Sequence, residues 1–152
     1  MNHRMMKPGS ALEAELRRQL ACLGDNRMLW FSQPPSAARP EQRELMETLQ
    51  RYEKQLEDIL AGIVRDLEDL PVLIGSEVTL RYEDGGPDET YRIVLPEEAD
   101  VDRSRISCLS PMGSSLLLAR VGDTVEIRTP QGGYRARIVR SVCTFAADAD
   151  DR

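Results

Sequence analysis

Few side chains in this sequence are of types that do chemistry, and their spacing narrows what they could do. His3 is the only histidine, and no nucleophile stands beside it in a pattern that would make it a general base. Cys22, Cys108 and Cys143 are odd in number, far apart and without a CxxC pair. That spacing argues against both a disulfide framework and a structural zinc site. Cys108 lies just ahead of Ser110-Pro111, where a helix dipole could lower its thiol pKa. Its alternation with Ile106 reads instead as a buried strand cysteine. Glu97-Glu98 and Asp100-Asp102 are carboxylate pairs of the kind that hold a divalent cation weakly, and they read as a solvated loop. The chain has no Walker P-loop, no GxSxG elbow and no HExxH. No catalytic constellation, cofactor or metal set is expected, and the chain reads as a non-enzyme.

Two features point to binding. Met28-Leu29-Trp30-Phe31 is an apolar and aromatic cluster. It either folds back on the helices or offers Trp30 and Phe31 as anchors for a protein partner, since Trp and Met are enriched at such interfaces. The second is a long apolar helical stripe, described below. Charge excludes other classes. The 152 residues carry 20 Lys+Arg against 26 Asp+Glu, a formal charge of -6, which argues against autonomous sequence-specific DNA binding. No apolar run approaches the roughly 20 residues of a membrane span, and MNHRMMKPGS has no apolar stretch of a secretory signal. A cytoplasmic protein is expected, and with 5% aromatic residues its core must be aliphatic.

The elements that position these residues change character near Leu70-Pro71. Upstream the chain is rich in Leu, Glu, Arg and Gln; downstream it fills with Val, Ile, Thr and Gly. This predicts a helical domain over 1–70, a β-rich domain over 71–143 and a disordered tail over 144–152. Ser10 is an N-cap, and Leu12, Leu16, Leu20 and Leu23 form a stripe that stops at Gly24. Residues 25–40, with Pro34-Pro35 and Pro40, read as a loop. Leu45, Leu49, Tyr52, Leu56, Ile59, Ile63, Leu67 and Leu70 recur by threes and fours, the seam of a coiled coil. A helix over 41–69 would be a rod of about 43 Å. The two helices form an antiparallel hairpin in which the shorter first helix leaves part of the seam uncovered, available to the β domain or to a second copy in a homodimer.

Downstream, Val78, Leu80 and Tyr82 share one face of a strand, Glu83-Asp84-Gly85-Gly86-Pro87 turns the chain, and 90–95 returns. A short strand follows over 106–109. Ser110-Pro111 then read as N-cap and first residue of a helix that includes Leu116, Leu117 and Leu118. Gly122-Asp123 leads into 125–129, and Pro130-Gln131-Gly132-Gly133 turns into 134–138. The fold class is α+β: a helical hairpin followed by an antiparallel sheet with one short helix.

The run Ile106-Ser107-Cys108-Leu109-Ser110-Pro111-Met112-Gly113-Ser114-Ser115-Leu116-Leu117, then Val121-Gly122-Asp123 and Thr129-Pro130-Gln131-Gly132-Gly133, resembles the C-terminal domain of the Gre transcript-cleavage factors. Gly75-Ser76-Glu77-Val78-Thr79-Leu80 resembles that family's first strand. The likeness covers roughly 71–141 and implies an FKBP-like fold. It also implies binding to bacterial RNA polymerase, with the β domain at the rim of the secondary channel and the hairpin projecting inward. The contact region would be the 110–118 helix and its flanks: Ser110, Pro111, Met112, Gly113, Gly122 and Asp123. Cleavage factors of the family carry acidic residues at the hairpin tip that help hold a catalytic magnesium ion. At Gly24-Asp25-Asn26-Arg27-Met28 only Asp25 matches such an acid, and Met28 falls where the second would be. The resemblance therefore implies a non-cleaving regulator. A shortened hairpin is similar to the Rnk subgroup, regulators of nucleoside diphosphate kinase, which gives one alternative. An active cleavage factor using Asp25 is another. Prolyl isomerisation, implied by the fold alone, would have only Tyr82, Tyr91, Tyr134 and Phe145 to line its pocket.

Overall fold

The computed structural model describes residues 11–30, 39–62, 70–129 and 132–144. The chain divides between Asp69 and Leu70 into a helical unit and a sheet unit. No helix among the described residues is long and apolar enough to cross a membrane.

The helical unit holds α1 (Ala11–Trp30, 20 residues) and α2 (Pro40–Leu60, 21 residues). Each is about 30 Å long at 1.5 Å per residue. Three expectations change here. The first helix does not stop at Gly24 but runs through it to Trp30. A helical glycine costs only about 1 kcal/mol relative to alanine, so Gly24 alone does not end the helix. The second helix ends at Leu60 rather than Asp69. Ala61 and Gly62 close it by donating to the Glu57 and Ile59 carbonyls at 2.9 and 3.0 Å, with Gly62 at φ +85°, a stop that favours glycine. The two helices are also nearly equal in length, where the sequence predicts a first helix much the shorter. Ser10 and the seam positions Ile63 and Leu67 lie outside the described residues.

Leu49, Tyr52, Leu56 and Ile59 of α2 are buried at coiled-coil spacing. On α1 the buried stripe is Leu12, Leu16, Gln19 and Leu23, with Leu20 only half-buried. The polar Gln19 takes a seam position because its Oε1 accepts a 2.6 Å hydrogen bond from the Tyr52 hydroxyl. Pro40 starts α2, where its missing N–H costs nothing, and the Arg39 backbone N–H donates to Gln42 Oε1 at 3.3 Å.

The sheet unit comprises β1 (Ser76–Tyr82), β2 (Glu89–Val94), β3 (Arg105–Ser107), α3 (Pro111–Leu116), β4 (Thr124–Thr129) and β5 (Gly132–Cys143). The strand order is β3-β2-β1-β5-β4. The sheet is mixed rather than antiparallel throughout, because β2 and β3 run parallel with Arg92 opposite Arg105. Two single 3-10 turns, Pro96–Glu98 and Val101–Arg103, carry the chain from the end of β2 back to its start. Val78 and Leu80 of β1, Ile93 of β2, Ile127 of β4 and Ala136 and Ile138 of β5 bury one sheet face, with Leu116 also enclosed. This core is aliphatic, as the composition requires. Val72, Leu73 and Ile74 are buried ahead of β1 rather than inside it. Thr144, assigned to the tail, belongs to the fold: its Oγ1 donates to the Gly75 carbonyl at 2.9 Å. Residues 145–152 lie outside the described residues.

Candidate docking site

The strongest local design in the sheet unit is the knuckle from Ser107 to Ala119. Ser110 has extended backbone (φ -71°, ψ 159°) and caps α3 by accepting from the Gly113 N–H at 3.0 Å. Its hydroxyl donates back to the Ser107 carbonyl at 2.7 Å, and the Ser110 N–H donates to the same oxygen at 3.0 Å. Pro111 supplies the first helical residue with φ already set. Gly113 is buried against the β3 backbone: a Cβ there would collide with the Ser107 carbonyl oxygen and lie 2.9 Å from its carbon. Helix α3 thus sits on a strand end that only glycine allows it to approach.

The far end is pinned as firmly. The Leu118 N–H donates to the Val72 carbonyl at 2.9 Å, and the Val72 N–H to the Ala119 carbonyl at 2.8 Å. Leu118 adopts φ +69° to make this turn, a left-handed conformation costing a leucine on the order of 1 kcal/mol. With both ends fixed, Pro111 is exposed and Met112 half-exposed, presented at the start of the helix. Gly122 and Asp123 form the turn before β4. Asp123 Oδ2 accepts from the Arg120 N–H at 3.0 Å, Gly122 (φ +96°) donates to Ile138 at 2.8 Å, and Ile138 donates back to Asp123 at 2.9 Å. Both residues hold a turn against β5. Trp30 is the last residue of α1, and Phe31 lies outside the described residues.

Candidate chemistry is placed as follows. Cys108 is fully buried one residue beyond β3, with its N–H on the Val94 carbonyl at 2.8 Å. Cys22 and Cys143 are half-buried, and none of the three cysteines forms a disulfide. Among the described residues no group of three or more His, Cys, Asp or Glu could hold a metal ion. Asp100 Oδ1 accepts from the Asp102 N–H at 3.1 Å, capping its own turn. Asp25 is exposed within α1 and not in the connection between the helices. The hairpin tip expected at residues 24–28 lies within α1, because the helix runs through Gly24.

Three of the aromatics named above for an isomerase pocket cluster with Glu89 at the end of the buried sheet face. Tyr82 and Tyr91 both donate to Glu89 Oε1, at 2.6 and 2.7 Å, and the Tyr82 and Tyr134 rings lie 5.7 Å apart. The two phenols, Tyr82 first, hold the Glu89 carboxyl below the usual carboxylate range. Burial pushes all three phenols up, so they stay protonated. A depressed folded pKa means that the pair's contribution to stability is present above the ordinary carboxylate pKa. It is lost as pH falls through the folded value. Tyr82→Phe should move the Glu89 titration, followed by carboxyl NMR, back toward its ordinary range. An unchanged midpoint would show that the Tyr82 hydrogen bond is absent in solution.

Comparison with known proteins decides the family. Residues 69–140 match the family model described as the C-terminal domain of the transcription elongation factors GreA/GreB. A GreA/GreB structure from Nitrosomonas europaea superposes with a TM-score of 0.51 at 30% identity, covering 88% of this chain and 96% of that one. The chain belongs to the GreA/GreB family. Among curated relatives, transcription elongation factor GreA of Thermotoga neapolitana is 38% identical over 104 residues, 68% of this chain. GreA of Chloroflexus aggregans is 36% identical over 102 residues, 57% of this chain. In both, the matched region spans 65% of the relative's length. The Ser110 cap, the Gly113 contact and the Gly122-Asp123 turn all fall inside the matched GreA/GreB region.

Proposed function

We propose that this Gre-family protein regulates transcription elongation by docking on bacterial RNA polymerase near the secondary channel, and that it does not cleave transcripts. The sheet unit anchors, with Pro111 and Met112 on the rigid knuckle as its contact residues. The helical hairpin obstructs the channel. The observation that carries the non-cleaving part is the connection between α1 and α2. Residues 31–39, Phe-Ser-Gln-Pro-Pro-Ser-Ala-Ala-Arg, contain no carboxylate, so the stretch that should form a hairpin tip has nothing with which to hold magnesium. Asp25 does not replace it, because its helical neighbours at i±3 and i±4 are Cys22, Ala21, Met28 and Leu29. The overall acidity suits a basic channel wall, since complementary charge raises the association rate.

The test is a native-gel shift of core RNA polymerase by this protein with a Gre factor as competitor, followed by incubation with a backtracked complex and magnesium. Competed binding without release of short RNA is expected. Failure to bind at micromolar protein would overturn the docking. Magnesium-dependent RNA release lost in Asp25→Ala would overturn the non-cleaving assignment.

A further inference from the structure

The sheet face opposite the core carries a charge pattern that the family reading does not use. Side chains alternate faces along a strand, so Val78, Leu80 and Ile93 turn into the core while Glu77, Thr90, Arg92 and Arg105 share the other side. The registers place Glu77 opposite Arg92 and Arg92 opposite Arg105, forming one row across β1, β2 and β3. Neighbouring strands lie only about 4.8 Å apart, so the Arg92 and Arg105 side chains leave the sheet side by side, and both line one pocket. Like charges placed directly opposite destabilise a sheet unless something neutralises them. Arg92 is met by Glu77 at 3.0 Å. Arg105, half-buried, makes no side-chain hydrogen bond or ion pair among the described residues.

The turn ahead of β3 adds a third arginine. Ser104 takes φ +57°, and its carbonyl accepts from the Arg92 N–H at 2.9 Å. The Asp100 and Arg105 backbones exchange two 2.9 Å hydrogen bonds. This closed turn presents Arg103, whose Nε is 3.7 Å from Asp100, at the rim of a pocket of about 150 Å³. Glu77, Thr90, Arg92, Arg103, Ser104 and Arg105 line it. Three guanidinium groups against one lining carboxylate make a positive concavity on a chain whose net charge is -6.

We propose that this pocket binds the phosphate group of a small ligand, with Arg105 and Arg92 as the principal donors. A planar guanidinium donates two parallel N–H bonds to phosphate oxygens. Glu77 offsets one of the three lining guanidinium groups, and a phosphate dianion neutralises the remaining two positive charges. The ligand's source is free phosphate or the phosphate of a nucleotide.

Arginine Nε–H NMR resonances are to be followed while inorganic phosphate, or separately a nucleoside diphosphate, replaces chloride at constant ionic strength. Saturable shifts at Arg92 and Arg105 are expected in at least one arm, and the arm that saturates at lower concentration identifies the source. Arg105→Gln should weaken binding by about ten-fold or more, and Glu77→Gln should tighten it by about three-fold or more, because the competing carboxylate is gone. Arg81→Gln, which breaks an exposed pair with Asp88 at 3.0 Å outside the pocket, should leave it unchanged. Shifts that fail to saturate, or that persist undiminished in Arg105→Gln, overturn the site. Neither result depends on whether polymerase is bound.

Discussion

Gly113→Ala is expected to destabilise the sheet unit by about 3 kcal/mol or more, at the upper end of what overpacking costs. The added methyl would collide with the Ser107 carbonyl and sit 3.1 Å from Ser110 Oγ. Neither neighbour is free to retreat. The Ser107 carbonyl accepts from both Ser110 groups, and Ser110 Oγ is engaged on the Gly113 N–H. The helix cannot slide away either, because Leu118 and Ala119 are tied to Val72 at its other end. Relief therefore requires breaking the cap or lifting α3 from the sheet, which opens the core around Leu116. Urea denaturation followed by circular dichroism measures the loss. Gly24→Ala is the control. Nothing lies within 4 Å of a Cβ there and the position is exposed, so the variant should be unchanged or up to about 1 kcal/mol more stable. Equal midpoints for the two variants would show that the close approach at Gly113 does not exist. Under the proposed function Gly113→Ala also abolishes polymerase binding, since the knuckle presenting Pro111 and Met112 is what it dismantles.

Those two glycines show what could be read beforehand. Ser110-Pro111 announced a helix start because cap chemistry is local: a hydroxyl, a fixed φ and a missing N–H act within four residues. The same locality made Gly24 misleading. A glycine after a leucine stripe is a stop signal only if no tertiary contact rewards going on. Here the glycine costs only about 1 kcal/mol, and the helix runs through it to Trp30. The polarity of Gln19 hides its seam position, and only its partner 33 residues away explains it. The parallel pairing of β3 was invisible for a similar reason. Three residues, Arg-Ile-Ser, carry no information about strand direction, which the two 3-10 turns before them determine. The candidate docking residues come from the resemblance and not from chemistry. Their structure shows why such a block is distinctive: Ser110 and Gly113 serve one contact with Ser107 and cannot vary independently. The arginine row was missed because Arg92 and Arg105 are neighbours only through that parallel pairing.

Tyr52→Ala should cost about 4 kcal/mol, the range for emptying an aromatic core position, and the loss should fall on the helical unit. Tyr52 is fully buried between Leu49 and Leu56 on the seam, and its hydroxyl meets Gln19 on the facing helix at 2.6 Å. Ring and hydroxyl make separable contributions. Tyr52→Phe keeps the ring and should cost about 1 kcal/mol, the net worth of one hydrogen bond. Gln19 Nε2 still donates to Glu15 Oε2 at 3.1 Å in that variant. Gln19→Leu with Tyr52→Phe replaces both partners by apolar groups and should recover most of that loss. The double-mutant cycle then isolates the pair. Helicity at 222 nm during urea denaturation reads each variant, and a loss below about 1 kcal/mol for Tyr52→Ala would remove Tyr52 from the seam. The variant also separates the two tasks of the proposed function. The sheet unit has its own core, so Tyr52→Ala should still shift RNA polymerase in a native gel. A hairpin that no longer holds its two helices together cannot obstruct the channel, so the variant should lose its effect on elongation while keeping its place on the enzyme. Loss of both together would mean that the hairpin, and not the knuckle at Pro111, is the anchor.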